Sequence, residues 1–124
     1  MHGVTITELI EKMNLRNSTP QIDTDKIVLT HPDVNRPALQ LTGFFDHFDR
    51  ERVQIIGYVE YTFLEKMTDE DKKKRIYETL LSYKIPCLIF CRNLPPEKML
   101  LEMAEKANIP VFQTEKKTSE FTAE

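Results

Sequence analysis

The sequence is poor in glycine. Its 124 residues include only Gly3, Gly43 and Gly57, and no Gly-Lys pair. Loops that cradle phosphates need closely spaced glycines, so that backbone N–H groups can approach the ligand. The scarcity excludes a Gly-x-x-x-x-Gly-Lys-Ser/Thr loop, a Gly-x-Gly-x-x-Gly fingerprint and a Gly-x-Ser-x-Gly elbow. Cysteine is also scarce, with Cys87 and Cys91 alone in the run Pro86-Cys87-Leu88-Ile89-Phe90-Cys91. On a strand their α-carbons would lie about 13 Å apart, too far for a disulfide between them. Free buried thiols suit a reducing compartment, and Cys-x-x-x-Cys on a strand lacks zinc-site spacing. No stretch approaches the roughly 20 apolar residues of a membrane helix. Met1-His2-Gly3-Val4 lacks the basic and apolar regions of a secretion signal. A cytoplasmic protein is expected. Cations are not in excess either: Lys plus Arg is 17, Asp plus Glu is 20, and the net charge is −3. Nucleic-acid affinity rests on phosphate neutralisation, so this balance argues against DNA or RNA partners. With 40% apolar and 30% charged residues, one soluble globular domain is expected.

Thr5-Ile6-Thr7-Glu8 fits a capping box. Ile6, Leu9, Ile10 and Met13 then form an apolar stripe at helical spacing, and Asn14 is a plausible stop. Ser18-Thr19-Pro20 and Asp23-Thr24-Asp25 read as turns. Ile27-Val28-Leu29 is a short strand candidate. The stretch from His31 to Pro37 is extended, because each proline pushes its predecessor out of the α region. Leu39 and Leu41 alternate with Gln40 and Thr42. Val53 to Ile56 reads as a strand ending at Gly57. Tyr58 to Met67 fits either period, with helix favoured for its later half. Thr68-Asp69-Glu70-Asp71 caps a helix carrying Ile76, Tyr77, Leu80 and Leu81, which Pro86 ends. Cys87 to Phe90 is apolar on both faces, as in a central strand. Pro95-Pro96 starts another helix, with Leu100, Met103, Ala104 and Ala107 inside, and Val111-Phe112 is a last strand. From Val53 onward this alternation predicts parallel strands joined by right-handed crossovers. The polar end, Glu115 to Glu124, resembles a chain cut at a domain boundary, and a frayed natural end would look the same.

Candidate chemistry is sparse. Ser18, Ser82 and Ser119 have no histidine placed beside them to act as a base. Cys91 neighbours Arg92, a cation that lowers a thiol pKa, but packing is the simpler reading. His31, Asp46, His47 and Asp49 could ligate a metal, yet read as loop and solvated turn. The charge run Asp69 to Arg75 is acidic then basic, which suits the helix dipole and i, i+4 pairing, so it reads as a solvated face. The least bland stretch is Arg36-Pro37-Ala38-Leu39-Gln40-Leu41-Thr42-Gly43-Phe44-Phe45. It offers a bulky cation for phosphate or carboxylate, a flexible glycine and paired aromatics. A tight structural turn is the alternative.

That segment, followed by Arg52-Val53-Gln54-Ile55-Ile56-Gly57, resembles the N-terminal domain of the bacterial HPr kinase/phosphorylase family. So do Val4-Thr5-Ile6, Phe63-Leu64, Leu80-Leu81-Ser82-Tyr83, Ile85-Pro86-Cys87-Leu88-Ile89 and Ile109-Pro110-Val111. Thr118-Ser119-Glu120-Phe121 resembles the start of the link to a kinase domain. Ala38 departs from the glycine expected there, which puts a left-handed backbone at that position in doubt. The resemblance implies a parent enzyme that phosphorylates a serine of the phosphocarrier HPr, removes that phosphate by phosphorolysis, and serves carbon catabolite repression. It implies a hexamer whose phosphate loop, magnesium site and catalytic residues lie in a C-terminal kinase domain. No cofactor is expected in this chain; ATP and magnesium are implied for the kinase domain.

The resemblance implies an α/β fold: one domain over residues 1–124, with a parallel or mixed sheet and helices on both faces, similar to the Mur ligase N-terminal domain. Asp33 to Gly43 faintly resembles a Mur ligase stretch, but its serine is absent and Ala38 replaces a glycine. Uridine-nucleotide binding is therefore not supported, and a shared fold does not establish a function. The first expectation is a non-catalytic regulatory or assembly domain, partnered by its own kinase domain and sister subunits. The second is a sensor of a nucleotide or phosphorylated metabolite. A freestanding hydrolase or metal enzyme ranks last. The expected interaction surface is Arg36, Thr42, Gly43, Phe44 and Arg52, with no catalytic residue and no metal ligand assigned.

Overall fold

The computed structural model describes residues 4–29, 34–46 and 48–116. The expectations for His31, His47 and the segment from Thr118 to Phe121 lie outside these residues. Strand β1 (Val4–Thr5) leads into helix α1 (Ile6–Met13). Thr5 caps the helix as its sequence demands: its hydroxyl accepts from the Glu8 N–H, and the Glu8 carboxylate accepts from the Thr5 N–H. Asn14 closes it in the left-handed region, at φ 53° and ψ 51°. Strand β2 (Arg16–Asn17), a 3-10 turn over Thr24–Lys26 and strand β3 (Val28–Leu29) complete the N-terminal part. The remainder runs β4 (Val34–Asn35), α2 (Ala38–Leu41), β5 (Val53–Ile56), α3 (Tyr58–Glu65), α4 (Glu70–Ser82), β6 (Leu88–Phe90), α5 (Lys98–Lys106) and β7 (Val111–Gln113).

The main sheet has the order β2-β7-β6-β5-β4, while β1 and β3 form a separate antiparallel pair. Strands β4 to β7 are parallel and β2 is antiparallel to β7, so the sheet is mixed. From β4 to β7 the chain always steps the same way across the sheet. Crossovers of one hand therefore put their helices on one face. The packing agrees. Ile56, Leu88, Phe90 and Val111 meet Leu41, Leu64, Leu80 and Leu100 on that face. The other side chains of the same strands, Val53, Ile55, Cys87, Ile89 and Phe112, meet Ile6, Met13 and Leu29. The pleat sorts these sets by its period of two, and the register lines up Ile55, Ile89 and Phe112 across three strands. Helices thus cover both faces, and Cys87 and Cys91 share the α1 side as buried cysteines that form no disulfide.

Several local expectations shift. The Leu39–Leu41 stretch is a short helix rather than extended, because Pro37 presets the first turn and its carbonyl accepts from the Leu41 N–H. Ala38 is thus the first helical residue, and a left-handed glycine is not needed there. Helix α3 begins at Tyr58, directly after Gly57. Helix α4 stops at Ser82, before Pro86 acts, with Lys84 at φ 55°. Helix α5 starts at Lys98 rather than at the prolines, since Pro96 holds Pro95 extended and Glu97 is the N-cap. Ala107 is exposed and caps the C-terminal end instead of joining the core.

Candidate functional site

In a parallel sheet the loops beyond the carboxyl ends of the strands are where ligands gather. Here that edge carries Arg36 after β4, Gly57 after β5, Cys91 to Asn93 after β6 and Thr114 to Lys116 after β7. Arg36 is engaged. Its guanidinium donates from Nε to Glu60 Oε1 at 3.2 Å and from an Nη to Oε1 at 3.1 Å and Oε2 at 2.9 Å. The Glu60 side chain is 2% exposed, and Arg36 is 44% exposed. Glu60 Oε1 also accepts the Gly57 N–H at 2.7 Å. An internal carboxylate therefore occupies the N-terminal end of α3, where an external anion would otherwise be welcome. The pair ties β4, β5 and α3 together.

Beyond β6, Arg92 and Asn93 both have φ 55°. Such backbone is uncommon outside glycine and costs about 1 kcal/mol or more per residue. It is held by Arg92 N–H to the Lys116 carbonyl and Asn93 N–H to the Thr114 carbonyl, at 2.9 and 2.7 Å. The Gln113 amide donates to the carbonyls of Asn93 and Leu94. The Arg92 guanidinium lies 5.9 Å from the centre of the exposed Tyr58 ring. A polar hollow of about 340 Å³ opens nearby, lined in part by Asn14, Arg16, Asn93, Gln113 and Lys116.

The residues singled out in the sequence do not line one hollow. Arg52 precedes β5 and Arg36 follows β4. Since Val34 pairs with Val53, Arg36 sits about 10 Å further along the strand direction. Arg52 lies 3.8 Å from Asp49, in a shallow hollow of about 260 Å³ with Phe48, Asp49, Arg50 and Glu51. Thr42 and Gly43 line a different hollow, of about 330 Å³, with Phe45, Lys72, Arg75, Ile76 and Thr79. Phe44 is 48% exposed. Its neighbour Phe45 stacks on Tyr83 at 5.4 Å, and Phe48 meets both rings edge-on.

In the charge run read as a solvated face, Lys72 and Arg75 are exposed as expected. Reading by sequence missed Lys73 in the same run, which is buried and paired with Glu97 at 3.4 Å and Glu70 at 3.8 Å. Tyr77 donates to the same Glu97 at 2.8 Å, and burial, then this carboxylate, push its hydroxyl pKa up. No local signal marks these residues, because Glu97 lies 24 positions from Lys73. Burial pushes the Cys87 thiol up as well, which suits packing rather than nucleophilic attack. Among the described residues no group of His, Cys, Asp or Glu is arranged to hold a metal. Among them, too, no helix is long and apolar enough to cross a membrane.

Comparison with known proteins places this architecture among mixed α/β domains. Its fold matches the CBS and DRTGG domains of the regulatory region of Clostridium perfringens pyrophosphatase, solved with the activator diadenosine tetraphosphate. The TM-score is 0.63 at 18% identity, over 94% of this chain and 43% of that one. The sequence is more specific. The family described as the HPr serine kinase N terminus matches residues 4–124, and the chain belongs to that family. It is 52% identical over 124 residues to the HPr kinase/phosphorylase of Lachnoclostridium phytofermentans, covering all of this chain and 40% of that protein. It is 40% identical over 119 residues to the Clostridium perfringens protein of the same name, covering 96% of this chain and 38% of that protein. The chain thus spans about 40% of the length of these relatives.

Proposed function

We propose that this chain is the non-catalytic regulatory and assembly domain of a cytoplasmic serine kinase/phosphorylase that acts on HPr in carbon catabolite repression. The observation that carries the reading is the family match over residues 4–124, joined to relatives more than twice as long. The scarcity of glycine supports it, because the three glycines are too dispersed for a phosphate loop. So does the engaged carboxyl edge, where Glu60 and Arg36 neutralise each other instead of facing a substrate. The fold neighbour belongs to a regulatory region, which is compatible with a regulatory role. In this reading ATP and magnesium bind the kinase domain, and the partners are that domain, sister subunits of a hexamer and HPr.

The test compares the longer protein with a version lacking these residues, and both with the 124-residue chain alone. Phosphorylation and phosphorolysis of HPr are measured, together with particle mass. The chain alone is expected to transfer no phosphate. Its removal is expected to change the ratio of the two activities or the number of subunits. Turnover by the chain alone overturns the reading, and so does a deletion that changes neither the ratio nor the mass.

A further inference from the structure

We propose that the outer face of α3, formed by Tyr58, Val59 and Phe63, is a docking surface for the part of the parent polypeptide that follows residue 124, a step that rests on the reading above of this chain as the N-terminal part of a longer protein. The inner side of α3 is satisfied by the domain itself. Leu64 is buried, the Tyr61 ring meets Phe90 edge-on at 6.1 Å, and the Glu60 carboxylate holds Arg36 and the Gly57 N–H. The outer side has no such partner in the domain: Tyr58, Val59 and Phe63 are 59%, 66% and 42% exposed.

An ordinary surface helix buries its apolar stripe and shows its charges to water. Here the charged Glu60 points inward and three large apolar side chains point outward. Positions 58, 59, 62 and 63 fall on one face at helical spacing, so they make a continuous patch. The Thr62 Oγ1 is buried, so that side chain adds no polar atom to the outer surface. Exposed Glu65 and Lys66 border the patch. Of the five large apolar side chains exposed among the described residues, α3 carries three, while Val28 and Phe44 lie elsewhere in the chain. Apolar residues exposed singly are ordinary, whereas a contiguous aromatic and aliphatic patch with a charged rim marks a protein contact.

Arg92 ties this patch to the end of the described chain. Its guanidinium lies 5.9 Å from the centre of the Tyr58 ring, and its backbone N–H donates to the Lys116 carbonyl at 2.9 Å. Asn93 fixes the same segment by donating to the Thr114 carbonyl at 2.7 Å. Both residues hold φ 55°, so costly backbone anchors the chain at this point. Lys116 is thus one arginine away from the start of α3. Residues 117–124 span at most about 29 Å even when fully extended, and α3 is about 12 Å long. Whatever path they take, the polypeptide beyond them begins within reach of the patch. The family match is to an N-terminal region, and the chain covers 40% of the Lachnoclostridium phytofermentans protein, so more than half of such a polypeptide follows. That is ample to cover two turns of helix.

The contact is tested in the longer protein with Phe63→p-benzoylphenylalanine, a photoreactive aromatic. The protein is irradiated and denatured, and its products are weighed and mapped by mass spectrometry. The expected product has the mass of one polypeptide, and its crosslink joins position 63 to a residue beyond 124. Val59→Asp in the same protein is expected to lower the crosslink yield about fivefold or more, with far-UV circular dichroism unchanged. A product of doubled mass overturns the proposal and makes a second copy the occupant. Crosslinks confined to residues 4–124, the absence of any crosslink, or an undiminished yield with Val59→Asp overturn it as well. The regulatory reading is decided separately, by HPr turnover and particle mass after deletion of the domain. A deletion that alters those while position 63 forms no crosslink removes the α3 contact and leaves the regulatory role standing.

Discussion

Arg36 and the Lys72–Arg75 pair are the same kind of group in opposite surroundings. Arg36 meets a carboxylate that is 2% exposed and held at the start of α3. Lys72 and Arg75 are exposed on α4 and line a hollow with Thr42, Gly43, Phe45 and Thr79. The first arrangement uses a cation to satisfy a buried charge and so ties the sheet edge together. The second leaves positive charge facing an open hollow. A guanidinium in a suggestive motif is therefore no guide to ligand binding until its counter-ion is known. Lys73 makes the point within one helix: it is adjacent to Lys72 in sequence yet buried against Glu97.

If this contrast is right, Arg36→Met should have the largest effect. It leaves Glu60 buried with only the Gly57 N–H, and the expected loss is about 2 kcal/mol. The figure lies below that of a fully buried pair because Arg36 keeps one side in water. Urea unfolding measures it, and a loss below about 0.5 kcal/mol would mean that the clamp is ornamental. Tyr77→Phe comes next, removing the bond to Glu97 for about 1.5 kcal/mol at neutral pH. Its pH dependence has a definite sign. The folded Tyr77 pKa is raised above its ordinary 10.0, so the hydroxyl stays neutral in the fold while the unfolded chain ionises. Stability linked to Tyr77 is therefore full below pH 10.0 and lost as pH rises beyond it. The variant should lack that loss, and the two unfolding curves should converge at high pH.

Gly43→Ala should cost about 1 kcal/mol, from the positive φ alone, since the added methyl meets no atom. A melting curve decides this, and a larger loss would reveal hidden crowding at the hollow. The smallest effect belongs to Lys72→Gln with Arg75→Gln, whose stability should stay within about 0.5 kcal/mol of the parent by urea unfolding. A clear loss there would make these cations structural after all and erase the contrast with Arg36.

Much of the fold was legible. The Thr5 and Glu8 cap, the Asn14 stop, the strand at Val53 and the buried stripe of α4 follow from local rules, and each is present. The alternation after Val53 was enough to anticipate parallel strands. The short helix at Ala38 was hidden because Leu39 and Leu41 satisfy a period of two as well. The start of α3 was hidden because its cap comes from Glu60 reaching back to a glycine with no side chain of its own. The candidate surface was legible only as a stretch of interesting residues. Arg36, Thr42, Gly43, Phe44 and Arg52 are close in sequence, but β4, α2 and β5 carry them to different parts of the domain.

By itself the sequence determined the composition class, the caps and periods of individual elements, and membership of the family. These depend on neighbours within about a helical turn, or on residue order along the chain. Tertiary structure alone decided how the buried charges of Glu60 and Lys73 are neutralised across the fold. The partners that decide it are distant along the chain, with Arg36 and Glu60 24 residues apart, as are Lys73 and Glu97. Whether a cation holds the protein together or faces outward depends on the carboxylate that folding brings within about 3 Å, and no local pattern encodes that distance.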